Sequence, residues 1–330
     1  MTNELCVLIL NYNTADLTFQ CINSLIDTEE NIKFKIIIVD NGSSSDELTK
    51  LINIFENNKQ DNEKIILFFK GNEIILLLLQ NNLGFSAGNN VGLKYIYHYL
   101  CPSNIAVINS DIIFYEKNTF YRLIEESKRG NNVGVVMPIV WNVYHRIEEP
   151  EYQIQIRKRE RNMFDVLVDG SPLIRKIFSK KFNDNMYKKY MPWKVPMQCE
   201  VVSGACFLML SDFAKFKFLF DEGVFLYHEE YMLSSYLEEK ELKSLFIPSV
   251  RVKHLQGMSG EKKENFSLVY YNYKVKSQIY YLRKYLRTNE FNVAFFKVVR
   301  TVEGILYFLI LNKKFEFNIL KKHAISIFRF

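Results

Sequence analysis

The chain has 330 residues, about half of them hydrophobic (48%) and a quarter charged (24%). That balance excludes a disordered or collagen-like chain and allows one large domain or two smaller ones with a sizeable core. The net charge of +6 is uneven: Asn265–Phe330 holds twelve Lys/Arg against three Asp/Glu, leaving the first 264 residues at about −3. A basic tail rich in Tyr, Phe, Ile and Leu points to an acidic partner surface, anionic lipid or nucleic acid.

In chain order, "LCVLILNYN" is a buried strand ending in polar Asn11 and Asn13. Leu17, Cys21, Ile22 and Leu25 recur at helical spacing over Thr14–Ile26, with Thr14 or Asp16 as the cap. "FKIIIVDNGSSSD" repeats the plan: a strand Lys35–Val39, then Asp40, a Gly/Ser turn and a helix from Asp46 to about Asn57. A short strand pair follows near Ile65–Leu79, then "NNLGFSAGNNVGLKYIYHYL", a glycine-bearing turn running into a helix. "IAVINSDIIF" is the next strand, "TFYRLIEESKRG" a helix and "VGVVMPIV" a further strand. Strands alternating with helices predict an α/β fold with a mostly parallel sheet and helices on both faces. Ligands of such sheets bind beyond the carboxyl ends of the strands, where Asn11, Asp40 and Asp111 all fall.

The texture changes over residues 141–200, where "RKRER" and "SKKFNDNMYKK" read as a mobile, variable insertion of the kind that carries recognition. The apolar pattern returns with "VVSGACFLML", then "GVFLYHEEYMLSSYLEEKEL" and "SLFIPSVRVKHLQGMSG". The expected organisation is a catalytic unit over 1–264 and a basic, aromatic helical extension over 265–330. Five scattered cysteines (Cys6, Cys21, Cys101, Cys199, Cys206) without a CxxC pair favour free thiols and a cytoplasmic chain. No basic segment with an apolar core opens the sequence, and "IILLLLQ" and "GILYFLIL" are too short to span a bilayer.

Several of these residues carry chemistry and also have a bland reading. Asp40, before Asn41-Gly42-Ser43, can accept from a nucleobase or ribose hydroxyl; equally, it and Asn41 are turn residues and Asp46 caps the next helix. "NLGFSAGNN" fails both GxGxxG and GxxxxGK[ST], though Gly88 lets backbone approach a ligand at a helix N-terminus. Asp111 inside an apolar run needs a reason, a divalent metal or a turn cap. Of Glu229 and Glu230, one can serve as a general base; the alternative is a solvated helix start. His254 can complete an Asp-based metal site or be structural, and His98, His145 and His323 have no companions.

Taken in order, "VLILNYN", "IIIVDNGSSSD", "NNLGFSAGNNVG", "NSD", "VSGACFLMLSDFAKFKFLFDEGVFLYHEEYML" and "HLQGMSG" resemble the family 2 glycosyltransferases of GT-A fold, particularly the rhamnosyltransferase-like branch. The resemblance spans residues 5–260. It implies inverting sugar transfer from a UDP- or dTDP-sugar to a saccharide or lipid-linked saccharide in bacterial surface polysaccharide synthesis. By that likeness Asn11, Asp40 and Asn41 hold the nucleoside, and Leu83, Gly84, Phe85, Gly88 and Asn89 pack around nucleoside and diphosphate. Asn109 and Asp111 match the DxD-type triplet, with Asp111 and His254 holding Mn²⁺ or Mg²⁺. Ser203, Gly204 and Ala205 match the segment lining the sugar and acceptor pocket. Glu230, with Glu229 beside it, matches the catalytic base.

Three positions depart from the family pattern: Asn109 replaces the first carboxylate, Glu230 lengthens the "ED" acid by a methylene, and His228 replaces a glycine on the acceptor side. The basic, aromatic tail is expected either to lie on the inner face of a membrane or to pack on the catalytic unit. RNP, helix-turn-helix and zinc signatures are missing, against a nucleic-acid partner. "NYNTADLTF" lacks the basic glycine-rich loop of a nucleotidyltransferase. An inactive homologue acting as a partner subunit remains an alternative, and the oligomeric state, homo-oligomer included, is open.

Overall fold

The structure is a computed structural model and describes residues 5–61, 64–142, 151–152, 156–187, 194–255, 267–312 and 317–330. His145, Gly257, Ser259, Lys313 and Lys314, singled out in the sequence or quoted in its motifs, lie outside the described residues.

Strand β1 (Leu5–Asn11) leads through helix α1 (Ala15–Thr28) to β2 (Phe34–Asp40) and α2 (Ser45–Asn53). Next come β3 (Asn57–Asp61), β4 (Lys64–Phe69) and β5 (Asn72–Leu78). Helix α3 (Gly84–Tyr95) ends in one wide turn and is followed by β6 (Asn104–Asn109), β7 (Ile112–Ile113), α4 (Thr119–Ser127) and β8 (Val133–Asn142). The insertion contributes β9 (Glu151–Tyr152), α5 (Met163–Gly170), α6 (Pro172–Ile177), α7 (Ser179–Asn185) and β10 (Met197–Cys199). Then follow β11 (Cys206–Met209), α8 (Ser211–Ala214), α9 (Glu229–Glu239) and β12 (Lys243–His254). The tail is α10 (Leu268–Lys284), α11 (Glu290–Asn312) and α12 (Phe317–Phe328).

One sheet holds the strands in the order β10-β12-β8-β11-β6-β1-β2-β5-β4-β3, with β7 on β12 and β9 on β8. The centre, β6-β1-β2-β5, is parallel, and β8 and β12 are also parallel to each other. Strand β11 enters antiparallel between β6 and β8, and β5-β4-β3 form an antiparallel edge. The register is what matters for chemistry: Asn11 lies opposite Asp40, and Leu10 opposite Asn109. Three polar strand ends therefore stand side by side, because the sheet's interior positions are taken by fully buried Val7, Leu8, Ile37, Ile38, Ala106 and Val107.

Helix α1 buries Leu17, Cys21, Ile22 and Leu25, as the spacing predicts. Two local expectations change. The second helix stops at Asn53, and Asn57–Asp61 becomes edge strand β3, whose polar residues face solvent and give no apolar alternation to read. Helix α2 is capped by Ser44, which accepts from the Glu47 amide at 3.4 Å, rather than by Asp46. The described part of the insertion folds as three helices. Val166 and Leu167 of α5 share a second apolar core with Tyr231 and Met232 of α9, Val275 and Ile279 of α10, and Phe296 of α11. The tail thus packs on the insertion and on the helix that carries Glu229 and Glu230.

Candidate active site

Asp40 is met by three donors from its own neighbours, which leaves its carboxylate room for a further one. It accepts from the Asn11 amide at 2.6 Å, the Ser43 hydroxyl at 2.7 Å and the Ser43 backbone N–H at 3.0 Å. Asn11 in turn accepts from Thr14 (3.0 Å) and Thr18 (2.7 Å), and the Thr14 and Ser110 hydroxyls are 3.0 Å apart. Thr14 sits at the N-cap of α1 but spends its hydroxyl on this network rather than on the helix. A continuous polar chain therefore runs from Asp40 through Asn11 and Thr14 to Ser110, next to Asp111.

Asn41 stitches the loop before α3. Its amide donates to the Asn82 side chain (3.0 Å) and the Gly84 carbonyl (3.1 Å), and its side-chain oxygen accepts from the Leu83 amide (3.0 Å). Gly84 has φ +83°, and a Cβ there would lie 2.2 Å from the Phe225 carbonyl, which already accepts from the Phe85 amide at 2.9 Å. Only glycine fits that crossing of two chains. Gly88 packs on Leu10 and the Asn41 side chain. Asn89 is buried and donates to the Phe85 carbonyl, while its side-chain oxygen and the nearby Ser86 hydroxyl have no hydrogen-bond partner among the described residues. Leu83 stays exposed.

Asp111 and His254 are both buried and meet at 3.0 Å, carboxylate to Nε2. The Leu255 amide donates to the Asp111 carbonyl, and His254 pairs with Ile112, so β7 and β12 hold the two side chains together. The buried carboxylate is thus answered by an imidazole. Among the described residues no three His, Cys, Asp or Glu side chains converge as a closed metal cage. A carboxylate oxygen and an imidazole nitrogen at one point do fit Mn²⁺ or Mg²⁺, cations that take few protein ligands and fill the rest from substrate phosphates and water.

On the other side of β6, the Asn109 amide donates to the Ala205 carbonyl (2.9 Å), and the Ala205 amide to the Ser203 hydroxyl (3.2 Å). The Gly204 amide donates to Glu230 at 3.3 Å. Glu230 is half-buried, whereas Glu229 is buried with one carboxylate oxygen lacking a partner among the described residues. Burial, and then the charge of Glu230, push the Glu229 carboxyl well above the usual carboxylate range. Tyr227 and His228 before them lie in the left-handed region (φ 73° and 69°), turning the chain sharply into α9.

His228 turns away toward the insertion: its Nε2 is 2.9 Å from the Glu160 carboxylate, and its ring stacks on Tyr231. Glu160 and Arg157, which bonds the Tyr231 hydroxyl at 3.3 Å, carry no motif signal; "RKRER" reads only as part of the variable insertion. Ser43 and Asn82 stand inside the quoted motifs and were legible as turn residues only. His323 is buried, bonded to Asn272 and the Thr301 carbonyl, a packing residue.

Comparison with known proteins follows this geometry. A family model described as "Glycosyl transferase family 2" matches residues 6–190, more than half of the chain. No curated protein matches. Among solved structures, the chain is similar to GalNAc-T7, crystallised with UDP, GalNAc and Mn²⁺, at 15% identity and TM-score 0.55. That match covers 84% of this chain and 48% of the other, so the chain spans about half of that enzyme's length. It is also similar to the mannosyltransferase PcManGT from Pyrobaculum calidifontis, in complex with GDP-Man and Mn²⁺, at 10% identity and TM-score 0.52, covering 100% and 87%. These likenesses carry the fold, a GT-A α/β architecture. The family match carries the membership: the chain belongs to glycosyltransferase family 2.

Proposed function

We propose that the chain transfers a sugar from a nucleoside-diphosphate donor to a saccharide or lipid-linked saccharide acceptor, inverting the anomeric centre. One observation supports this: the polar chain from Asp40 to Ser110 beside the Asp111–His254 pair, and the Asn109–Ala205 and Gly204–Glu230 contacts, gather these side chains at one sheet edge, where they would serve as nucleoside end, metal pair and base. Family membership and two Mn²⁺-bound, nucleotide-bound neighbours support it. UDP- and dTDP-sugars are the first donors to test.

Asp40 and Asn11 would orient the nucleoside, and the loop pinned by Asn41 would pack around nucleoside and diphosphate. Asp111 and His254 would hold a divalent cation, which when bound neutralises charge growing on the departing diphosphate. Glu230 takes the proton of the acceptor hydroxyl. It is the more open of the two glutamates and is oriented by the Gly204 amide. Glu229, favouring its protonated form, walls the site from behind. With no covalent nucleophile required, one displacement inverts the configuration.

The tail supports a membrane-facing location. On α11 the exposed positions Phe291, Phe295, Val298, Val302, Leu306 and Ile310 are apolar, while Lys297, Arg300 and Glu303 are buried. An apolar stripe in a strongly basic tail suits the surface of an anionic bilayer. No helix among the described residues is long and apolar enough to cross a membrane.

The deciding experiment incubates the protein with a panel of nucleotide sugars, Mn²⁺ and glycan or glycolipid acceptors, and reads the product's anomeric configuration by NMR. Retention of configuration overturns the mechanism. The absence of both nucleotide release and transfer to any acceptor, across the panel, favours the inactive-subunit alternative. Sedimentation with anionic vesicles, with and without Phe291→Ser and Phe295→Ser, tests the location.

A further inference from the structure

The insertion and the tail enclose a second charged region that the transfer chemistry leaves unused. Arg157 reaches the Tyr231 hydroxyl at 3.3 Å, and that hydroxyl lies 3.5 Å from Asp169. Arg175 donates to the Asp169 carbonyl at 2.7 Å, and Lys274 to the Gly170 carbonyl at 3.2 Å. Gln278 packs so tightly on Gly170 that a Cβ there would lie 2.3 Å from its amide nitrogen. Arg300, wholly buried, lies over the Tyr271 ring and donates to Glu303. Ser171, next to Gly170, donates to Glu303, so Arg175, Lys274 and, through Glu303, Arg300 gather around residues 169–171, and Arg157 joins them through Tyr231.

Several buried polar atoms of this neighbourhood, most of them N–H donors, have no partner among the described residues. Among the described residues, Nε and Nη2 of Arg300, Nε of Arg175 and both amide atoms of Gln278 make no hydrogen bond. Arg300 and Gln278 are 0% exposed, so water does not meet the shortfall at the protein surface. The local carboxylates do not meet those atoms: Glu303 takes Nη1 of Arg300 together with Ser171 and Tyr271, Asp169 takes Asn185, and Glu160 takes His228 on one oxygen while its other has no hydrogen-bond partner among the described residues. Buried N–H donors without partners are costly, and guanidiniums pair best with groups offering several oxygens in one plane. Arg175 and Lys274 are only half-buried and form the open side of the cluster.

We propose that Arg157, Arg175, Lys274 and Arg300, floored by Gln278, form a binding site for a phosphate or diphosphate group carried by the acceptor. The site lies on the acceptor side: Arg157 touches Tyr231, the residue after Glu230, whereas the donor's diphosphate belongs with Asp111 and His254. The proposal rests on the transferase reading for its acceptor, but the site itself is testable without turnover.

The test is calorimetry with inorganic diphosphate in EDTA, which silences the metal-dependent donor site. Wild type and Asp111→Asn are expected to bind alike, and Lys274→Met and Arg175→Met at least tenfold more weakly. Lys274→Met removes the cation at nearly constant side-chain length, and its thermal midpoint, measured alongside, separates lost binding from unfolding; Arg300→Met is the second-line variant. Because the anion draws a proton onto Lys274, the apparent enthalpy differs between PIPES and Tris in wild type and not in Lys274→Met. No binding by wild type, binding lost in Asp111→Asn, or equal binding by Lys274→Met and Arg175→Met each overturns the site. The acceptor's identity is read separately: glycosyl phosphate in solution and a lipid-linked diphosphate in vesicles are compared with the dephosphorylated sugar. The KM advantage of the phosphorylated forms should vanish in Arg175→Met. Failed transfer with intact diphosphate binding overturns the transferase reading and leaves the site standing.

Discussion

The Gly204 amide donates to the Glu230 carboxylate at 3.3 Å, and a Cβ added at residue 204 would stand 2.9 Å from that same oxygen. The displaced group is the end of a flexible side chain, so Gly204→Ala costs the fold little but moves the carboxylate off its mark. The expected result is a thermal midpoint within a few degrees of wild type and kcat lowered about tenfold or more. Glu230→Gln should lose about 10²–10⁴-fold, the usual worth of a positioned base, with donor affinity unchanged by calorimetry. Near-normal turnover by Glu230→Gln would shift the role to Glu229.

Asp111 and His254 stand 3.0 Å apart and differ in charge, so each substitution has a distinct signature. Asp111→Asn removes the anionic ligand and should abolish the Mn²⁺-dependent part of nucleoside-diphosphate binding. His254→Gln should weaken it about tenfold while leaving metal-free binding intact, since Asp40 and Asn41 still hold the nucleoside. Titrations of UDP, dTDP and GDP with Mn²⁺ and with EDTA check this. An Asp111→Asn protein whose affinity still rises with Mn²⁺ would place the cation elsewhere.

His228 and Glu160 form a buried pair 2.9 Å apart, the carboxylate 1% exposed. His228→Ala strands that carboxylate and should cost about 3 kcal/mol. Adding Glu160→Gln should recover most of the loss, because an amide needs no counter-charge. A double-mutant cycle by urea denaturation measures the coupling. Additive effects would mean that the two side chains do not depend on each other.

The central sheet was legible because β-branched runs such as Ile36–Val39 end in polar residues, and the parallel register then aligns those ends without further information. Asn11, Asp40 and Asp111 were findable for that reason, whereas Glu230, in the first turn of α9, was assigned by the family resemblance. Strand β3 was not legible: "NNKQD" is polar on both faces, and only its partner β4 makes it a strand. Arg157 and Glu160 were not singled out, and His228 was placed on the acceptor side rather than against the insertion, for a related reason. A charge run looks solvated until α10 and α11 fold over it, and their packing on α5 and α9 is set by scattered residues such as Val166, Met232, Val275 and Phe296. Periodicity reveals which face of an element is buried, not which distant element covers it.

The same cluster makes stability depend on pH. Burial first, then Arg300, Arg157 and Arg175, lower Lys274 from 10.5 to about 7, with Glu160 opposing. Burial and Glu160 raise Asp169 from 3.8 to about 6, against Arg157, Asn185 and Arg175. Between about pH 7 and 10.5 the unfolded chain binds the lysine proton more readily than the native one, so stability climbs as pH rises through that window. Between about pH 3.8 and 6 the native chain holds the Asp169 proton more readily, so stability falls as pH rises. The two contributions leave a trough at about pH 6–7, where Lys274 is charged and Asp169 ionised. Thermal midpoints measured from pH 5 to 9 should rise on the alkaline side in wild type and flatten there in Lys274→Met, while Asp169→Asn should flatten the acid side. Parallel curves for wild type and Lys274→Met would mean that residue 274 keeps its ordinary proton affinity in the folded protein.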